Sequence, residues 1–177
     1  VKVIRKPEDM KGLKIRTAGK TESKTVELLG ASPVRLPSAE AYEALMRGIV
    51  DGIMCYCGTI GGRALYEVLS SCTKAGFGAY GVGIYMKKEK WDALPDDVKA
   101  IIIESAKEFE KNTTREVSDY QNKVYWPKIK EAGIEIVELT DEEIEAFRKA
   151  SKPVYDWFKE QVGEDVGSEY LRILGIE

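Results

Sequence analysis

Between Leu13 and Cys57 three short apolar runs alternate with two helical stretches, and each helical stretch is closed by a glycine. Few folds accept that pattern. Strand-helix alternation with short connections is how a parallel sheet is built from βα units. Leu13 to Thr17 reads as the first strand, and Glu22 to Leu29 as a helix stopped by Gly30. Pro33 to Leu36 reads as the second strand. Ser38 is placed to cap the next helix, whose Ala41, Tyr42, Leu45 and Met46 fall at helical spacing before Gly48. Gly52 to Cys57 is apolar on both faces, as a central parallel strand should be. A helix is expected over Thr59–Leu69 and a glycine-punctuated strand over Gly78–Met86.

The texture then changes. Pro95 sits where a first-turn proline is tolerated, and Asp96 and Asp97 follow where the helix dipole favours acids. Val98, Ile102, Ala106, Phe109, Val117, Tyr120 and Val124 track one face nearly to Gly133, with a kink expected at Pro127. At about 1.5 Å per residue, roughly 37 residues make a rod of about 55 Å, long enough to bridge two bodies. Ile134–Leu139 reads as a strand. Thr140 with Glu143 forms a capping box that opens a helix to about Val162, bent at Pro153, and a short last helix carries Val166, Tyr170, Leu171 and Leu174.

Composition narrows the function classes. With 27 Lys and Arg against 30 Asp and Glu, mixed along the chain, there is no basic footprint for nucleic acid. No apolar stretch approaches the ~18 residues of a membrane span. The chain has no histidine, which removes Ser-His and Cys-His dyads and the commonest zinc ligand. Nothing in the pattern calls for a cofactor. Cys55, Cys57 and Cys72 make no disulfide framework. On a strand Cys55 and Cys57 would share one face, poorly placed for pairing, so buried thiols are expected.

Arg16 is the principal candidate. It ends the first strand, opposite in facing to Leu13 and Ile15, and ligands of open parallel sheets collect beyond the carboxyl ends of the strands. A guanidinium is a rigid fork that matches a carboxylate with two parallel hydrogen bonds, which lysine cannot reproduce. Arg35, Arg47 and Arg63 are rivals with no better local case. Asp51-Gly52 after an apolar run is turn chemistry.

A block of ordered motifs carries a resemblance. It comprises Asp9-Met10-Lys11-Gly12-Leu13-Lys14-Ile15-Arg16, Glu40-Ala41-Tyr42-Glu43-Ala44-Leu45, Val50-Asp51-Gly52, Leu65-Tyr66-Glu67-Val68 and Lys90-Trp91-Asp92-Ala93-Leu94-Pro95. From Pro7 to roughly Lys107, the chain resembles the second lobe of the solute-binding proteins of tripartite ATP-independent periplasmic (TRAP) transporters. The resemblance implies an α/β lobe of the type II periplasmic-binding-protein kind, with a parallel sheet and a long bridging helix. Residues 1–86 would be the second lobe, 87–133 the inter-lobe helix and 134–177 a strand and helices packing back on the lobe. The first lobe, with its signal peptide, would precede this segment.

By the same resemblance Arg16 is the carboxylate clamp of an extracytoplasmic receptor, not an enzyme, which hands an organic acid to membrane permease subunits. One departure stands out. Where the family commonly reads Gln-Glu-Asn-Pro with a ligand-contacting asparagine, this chain has Ile53-Met54-Cys55-Tyr56. A thiol donates and accepts only weakly, so the pocket should be less polar at Cys55. That implies an acid other than a small C4-dicarboxylate, bulkier or aromatic. Phe77 lies where the family often places a ligand-facing aromatic, and Tyr56 is a candidate hydrogen-bond donor to the ligand. Surfaces that a first lobe would cover would be apolar, so pairing with a second copy is expected. Three other readings compete. They are a thiol enzyme using Cys55 or Cys57, the effector-binding domain of a transcriptional regulator, and a soft-metal site at Cys55, Cys57 and Cys72.

Overall fold

Strand β1 (Lys14–Thr17) is the axis on which the rest is assembled. In the computed structural model, which describes residues 3–78 and 83–176 without the side chains of residues 114 and 115, β1 is flanked on both sides by parallel partners. The order is β2 (Ser32–Arg35), β1, β3 (Gly52–Ile53). Register pairs Arg16 with Val34 on one side and with Ile53 on the other. Helix α1 (Lys20–Leu28) crosses from β1 to β2 and ends at Gly30, whose φ of 86° only glycine adopts without strain. Helix α2 (Ala41–Met46) leads back to β3. Asp51 seals that return, because its carboxylate accepts from the Lys14 amide at 2.7 Å.

Alternation on β1 sends Ile15 into the core, where it meets Val26 of α1, Leu29 just past its end, Met10, Ala31 and Phe147. Each such large apolar side chain contributes about 1.5–3 kcal/mol by leaving water. Phe147 belongs to α7 (Asp141–Ser151), so the carboxyl-terminal part of the chain closes over the first βα units. The capping box expected for this helix is present. Thr140 accepts from the Glu143 amide and Glu143 accepts from the Thr140 amide at 2.8 Å. Arg5 grips the same carboxylate, with Nε at 2.7 Å from it, and holds it below the ordinary carboxylate range.

Several boundaries differ from the sequence reading, each for a physical reason. The third strand stops at Ile53 rather than Cys57, and Cys57 opens α3 (Cys57–Gly62), so Cys55 and Cys57 do not share a strand. Ser38 does not cap α2. It opens a 3-10 turn, Ser38–Glu40, behind Pro37, and its hydroxyl faces the Arg63 guanidinium at 3.4 Å. The helix expected over Thr59–Leu69 breaks after Gly62, where Ala64 adopts φ 53°, and resumes as a 3-10 turn at Leu65–Glu67. A strand not foreseen, β4 (Ser71–Lys74), pairs in parallel with β5 (Glu135–Glu138) as a second sheet. Of the strand expected over Gly78–Met86, residues 79–82 lie outside the described residues, and 83–86 form no strand.

The long helix is present as three consecutive segments: α5 (Asp96–Tyr120), a π-turn at Gln121–Tyr125 and α6 (Trp126–Glu131). Pro127 has no N–H for the carbonyl of Lys123, and the ladder widens to π spacing immediately before it. Pro153 separates α7 from α8 (Val154–Val162), and α9 (Glu164–Ile173) follows. A preceding short helix, α4 (Lys88–Asp92), leads into Pro95, which is the cap of α5 rather than its first residue.

The chain divides into two units, 1–75 with 128–177 and 76–127. Among the described residues, the buried apolar ones all fall in the first. In the second, the apolar face of α5 is exposed at Phe109, Val117 and Tyr120, and Tyr120 packs edge-on against Tyr125 with ring centres 5.1 Å apart.

Candidate functional site

The strand order places a topological switch in the first unit. From β1 the chain passes to β2 on one side, then returns to β3 on the other. Open parallel sheets bind ligands outside the carboxyl ends of the two strands flanking such a switch. Here those ends are Arg16-Thr17 of β1 and the segment Met54-Cys55-Tyr56 after β3.

Arg16 is buried, with 4% of its surface exposed. Its Nε donates to the carbonyl of Leu36 at 2.8 Å, just past the end of β2. That bond fixes the plane of the guanidinium and uses one of its five N–H groups. Among the described residues no carboxylate forms an ion pair with Arg16. The adjacent acid on α1, Glu22, accepts from the Ala18 amide. No fully enclosed side-chain nitrogen or oxygen among the described residues lacks a partner, so the Nη edge of Arg16 reaches accessible surface. The result is a buried cation held at Nε, with Nη groups that are not wholly enclosed, and a guanidinium with both Nη groups free can take a carboxylate in bidentate fashion.

Thr17, fully buried, shares a hydrogen bond with Ser23 at 2.8 Å and ties the end of β1 to α1. Met54 donates its amide to the Arg16 carbonyl at 3.0 Å, so Cys55 is the next residue beyond the β1–β3 ladder. Cys55 is half-buried, and burial pushes its thiol up to about 12. Cys72 reinforces that shift and the Arg16 charge opposes it, which puts the thiol within the electrostatic reach of the guanidinium. Cys72, on β4, is pushed up to about 11 by burial and by Cys57, and Cys57 is raised chiefly by burial. All three are free thiols. At neutral pH they are protonated, hence poor nucleophiles and poor metal ligands. Among the described residues no group of three His, Cys, Asp or Glu side chains is arranged to hold a metal ion.

Tyr56 caps α3 with its carbonyl at 2.9 Å from the Thr59 amide, and half of its side chain is exposed. Arg16, Cys55 and Tyr56 are thus brought to one end of one sheet. Phe77 belongs to the second unit and is 39% exposed. Sequence reasoning missed the Leu36 carbonyl, and it named Cys72 only among the three thiols, without its place on a strand beside the site. The carbonyl carried no signal, because a main-chain acceptor is independent of residue identity. The strand that carries Cys72 was not recognised.

Comparison with known proteins gives the family and the fold. The family model for DctP, a bacterial extracellular solute-binding protein of family 7, matches residues 1–161. The C4-dicarboxylate-binding periplasmic protein DctP of Rhodobacter capsulatus is 30% identical over 161 residues, which take in 90% of this chain and 48% of that protein. A TRAP periplasmic solute-binding protein from Desulfovibrio salexigens, solved with bound orotic acid, superposes with a TM-score of 0.84 at 26% identity. It covers 97% of this chain and 55% of that one. The ectoine-binding protein of the TeaABC TRAP transporter of Halomonas elongata gives a TM-score of 0.84 at 28% identity, over 97% of this chain and 56% of that one. The chain spans about half the length of the curated relatives it matches.

Proposed function

Since the chain belongs to the bacterial extracellular solute-binding proteins of family 7, we propose that it forms part of the extracytoplasmic receptor of a TRAP transporter. In this reading Arg16 clamps the carboxylate of an organic acid, and the loaded receptor delivers it to membrane permease subunits. The observation that carries the reading is the buried Arg16 itself, with Nε held by Leu36 and Nη groups that are not wholly enclosed and are unpaired with any described carboxylate. A buried cation without a counter-charge is costly, and a ligand carboxylate supplies both the charge and the hydrogen bonds. The ligands for which similar proteins are named, orotic acid and C4-dicarboxylates among them, are organic acids.

The continuous helical run from Asp96 to Glu131 serves in this reading as the inter-lobe helix, and closure around the acid is a hinge motion. Tyr56, at the end of the same sheet as Arg16, contributes aromatic surface to the ligand in this reading, and Phe77 is carried only by the resemblance. Pairing with a second copy is drawn from the exposed apolar face of α5, and light scattering showing monomer at all concentrations would remove that element. The thiol-enzyme alternative is disfavoured by protonated Cys55 and Cys57.

The test is a thermal-shift screen of the chain and its Arg16→Lys form against organic acids, amino acids and sugars. A ligand that binds only the folded state raises the melting temperature. One or more carboxylates should stabilise the parent and not the variant, while circular dichroism shows both folded. Equal responses from parent and variant would remove Arg16 from the site.

A further inference from the structure

Right-handed crossovers tell the two faces of the first sheet apart. The chain leaves β1 for β2 in one direction and β2 for β3 in the other, so α1 and α2 cover opposite faces. Ile15 packs on α1, which leaves Arg16 on the face of α2. A second arginine is held on that face. Arg63 closes α3, and its Nη2 donates to the Ser38 hydroxyl at 3.4 Å, a long contact just ahead of α2. Four residues further along each stretch, Tyr42 donates to Glu67 at 2.9 Å and ties the two together. Both arginines thus rest on one segment, Leu36-Pro37-Ser38, Arg16 on the Leu36 carbonyl and Arg63 on the Ser38 hydroxyl. Pro37 is extended, with φ -55° and ψ 149°, and at about 3.1 Å per residue for such backbone the two tethers stand roughly 6 Å apart. Directly after Arg63, Ala64 takes φ 53°, the one non-glycine with positive φ among the described residues. Strain of that kind gathers at ligand clamps.

Resting on the receptor reading, we infer that Arg63 is a second anion contact of the site. The ligand class is an extended dianion, with one carboxylate on Arg16 and a second anionic group roughly 6 Å away on Arg63. Arg63 is exposed, so its pair with the ligand is partly screened and supplies selectivity more than affinity. Two guanidinium groups on one face repel each other, and a dianion relieves that repulsion. A monocarboxylate of the same length leaves Arg63 in water and gains nothing from it. Lys20 is also exposed, but it opens α1, on the opposite face.

The experiment is calorimetry and ligand-observed NMR on the chain at pH 7.5, up to millimolar ligand, comparing glutarate with valerate and adipate with hexanoate. Each pair shares a carbon count and differs by one carboxylate. The diacid of each pair should bind about fivefold tighter. Arg63→Gln should bring that ratio close to one and leave the monoacids unchanged. Ser38→Ala, which frees the guanidinium and keeps its charge, should narrow the ratio. It gives the readout if the glutamine variant melts early, and there an unchanged ratio counts against the inference. Lys20→Gln, which removes a charge from the other face, should leave the ratio as it is. A ratio unchanged in Arg63→Gln, or lost equally in Lys20→Gln, would overturn the contact at Arg63 and leave the receptor reading standing. Diacids and monoacids bound alike, and both lost in Arg16→Lys, would overturn the dianion class alone. No Arg16-dependent binding of any acid would overturn both readings.

Discussion

Arg16 is a charge kept where few charges are tolerated, and everything around it serves to hold it still. Register with Val34 and Ile53 fixes its backbone, and the Leu36 carbonyl fixes its Nε. A lysine there would keep the charge and lose the fork. At the same scale the thiols make a chemical prediction. With Cys55 pushed up to about 12 and Cys72 to about 11, alkylation by iodoacetamide at pH 7.5 should be at least about a hundredfold slower than for an exposed thiol, because the thiolate reacts. Rapid labelling of Cys55 in the folded chain would contradict the burial described. Arg16 was legible in the sequence because β1 alternates and ends before a loop. Its anchor was less so, since a backbone carbonyl leaves no mark on residue identity.

At the scale of elements, α7 depends on both its cap and its core face. Thr140→Ala removes the acceptor of the Glu143 amide and should cost about 1 kcal/mol, read from urea unfolding. Phe147→Ala opens a cavity among Ile15, Val26 and Leu29 and should cost about 3–5 kcal/mol by the same measurement. The cap was readable from Thr140 and Glu143 because a capping box is local. Strand β4 was not, because Ser71-Cys72-Thr73-Lys74 has no apolar alternation and its partner lies far along the chain, Cys72 opposite Ile136. The shortening of β3 was hidden for a related reason. Met54 and Cys55 remain apolar enough for a strand, but Met54 already bonds past the ladder and Tyr56 turns the chain into α3.

For the whole molecule, burial is uneven between the two units. The first holds all the buried apolar side chains, and the second, around α5, holds none among its described residues. Hydrogen exchange should therefore find the α5 amides opening well below the free energy that releases β1 and α1, and equal protection would contradict that division. Alkaline pH offers a second whole-chain readout. A thiol held protonated in the fold but ionising near its ordinary value when unfolded stabilises fully below about pH 8.5, and that stability is lost as pH rises toward the folded value. The melting temperature should fall between about pH 9 and pH 11, and less steeply in Cys55→Ser; an identical profile in the variant would count against the buried thiol. The central claim, that Arg16 presents an open fork to a carboxylate, is met most directly by side-chain NMR of nitrogen-labelled arginine. On titration with an acid that stabilises the chain, the Arg16 Nη resonances should shift and slow in exchange while Nε stays bonded to Leu36. A bound acid that leaves the Arg16 Nη resonances unmoved would place the ligand elsewhere.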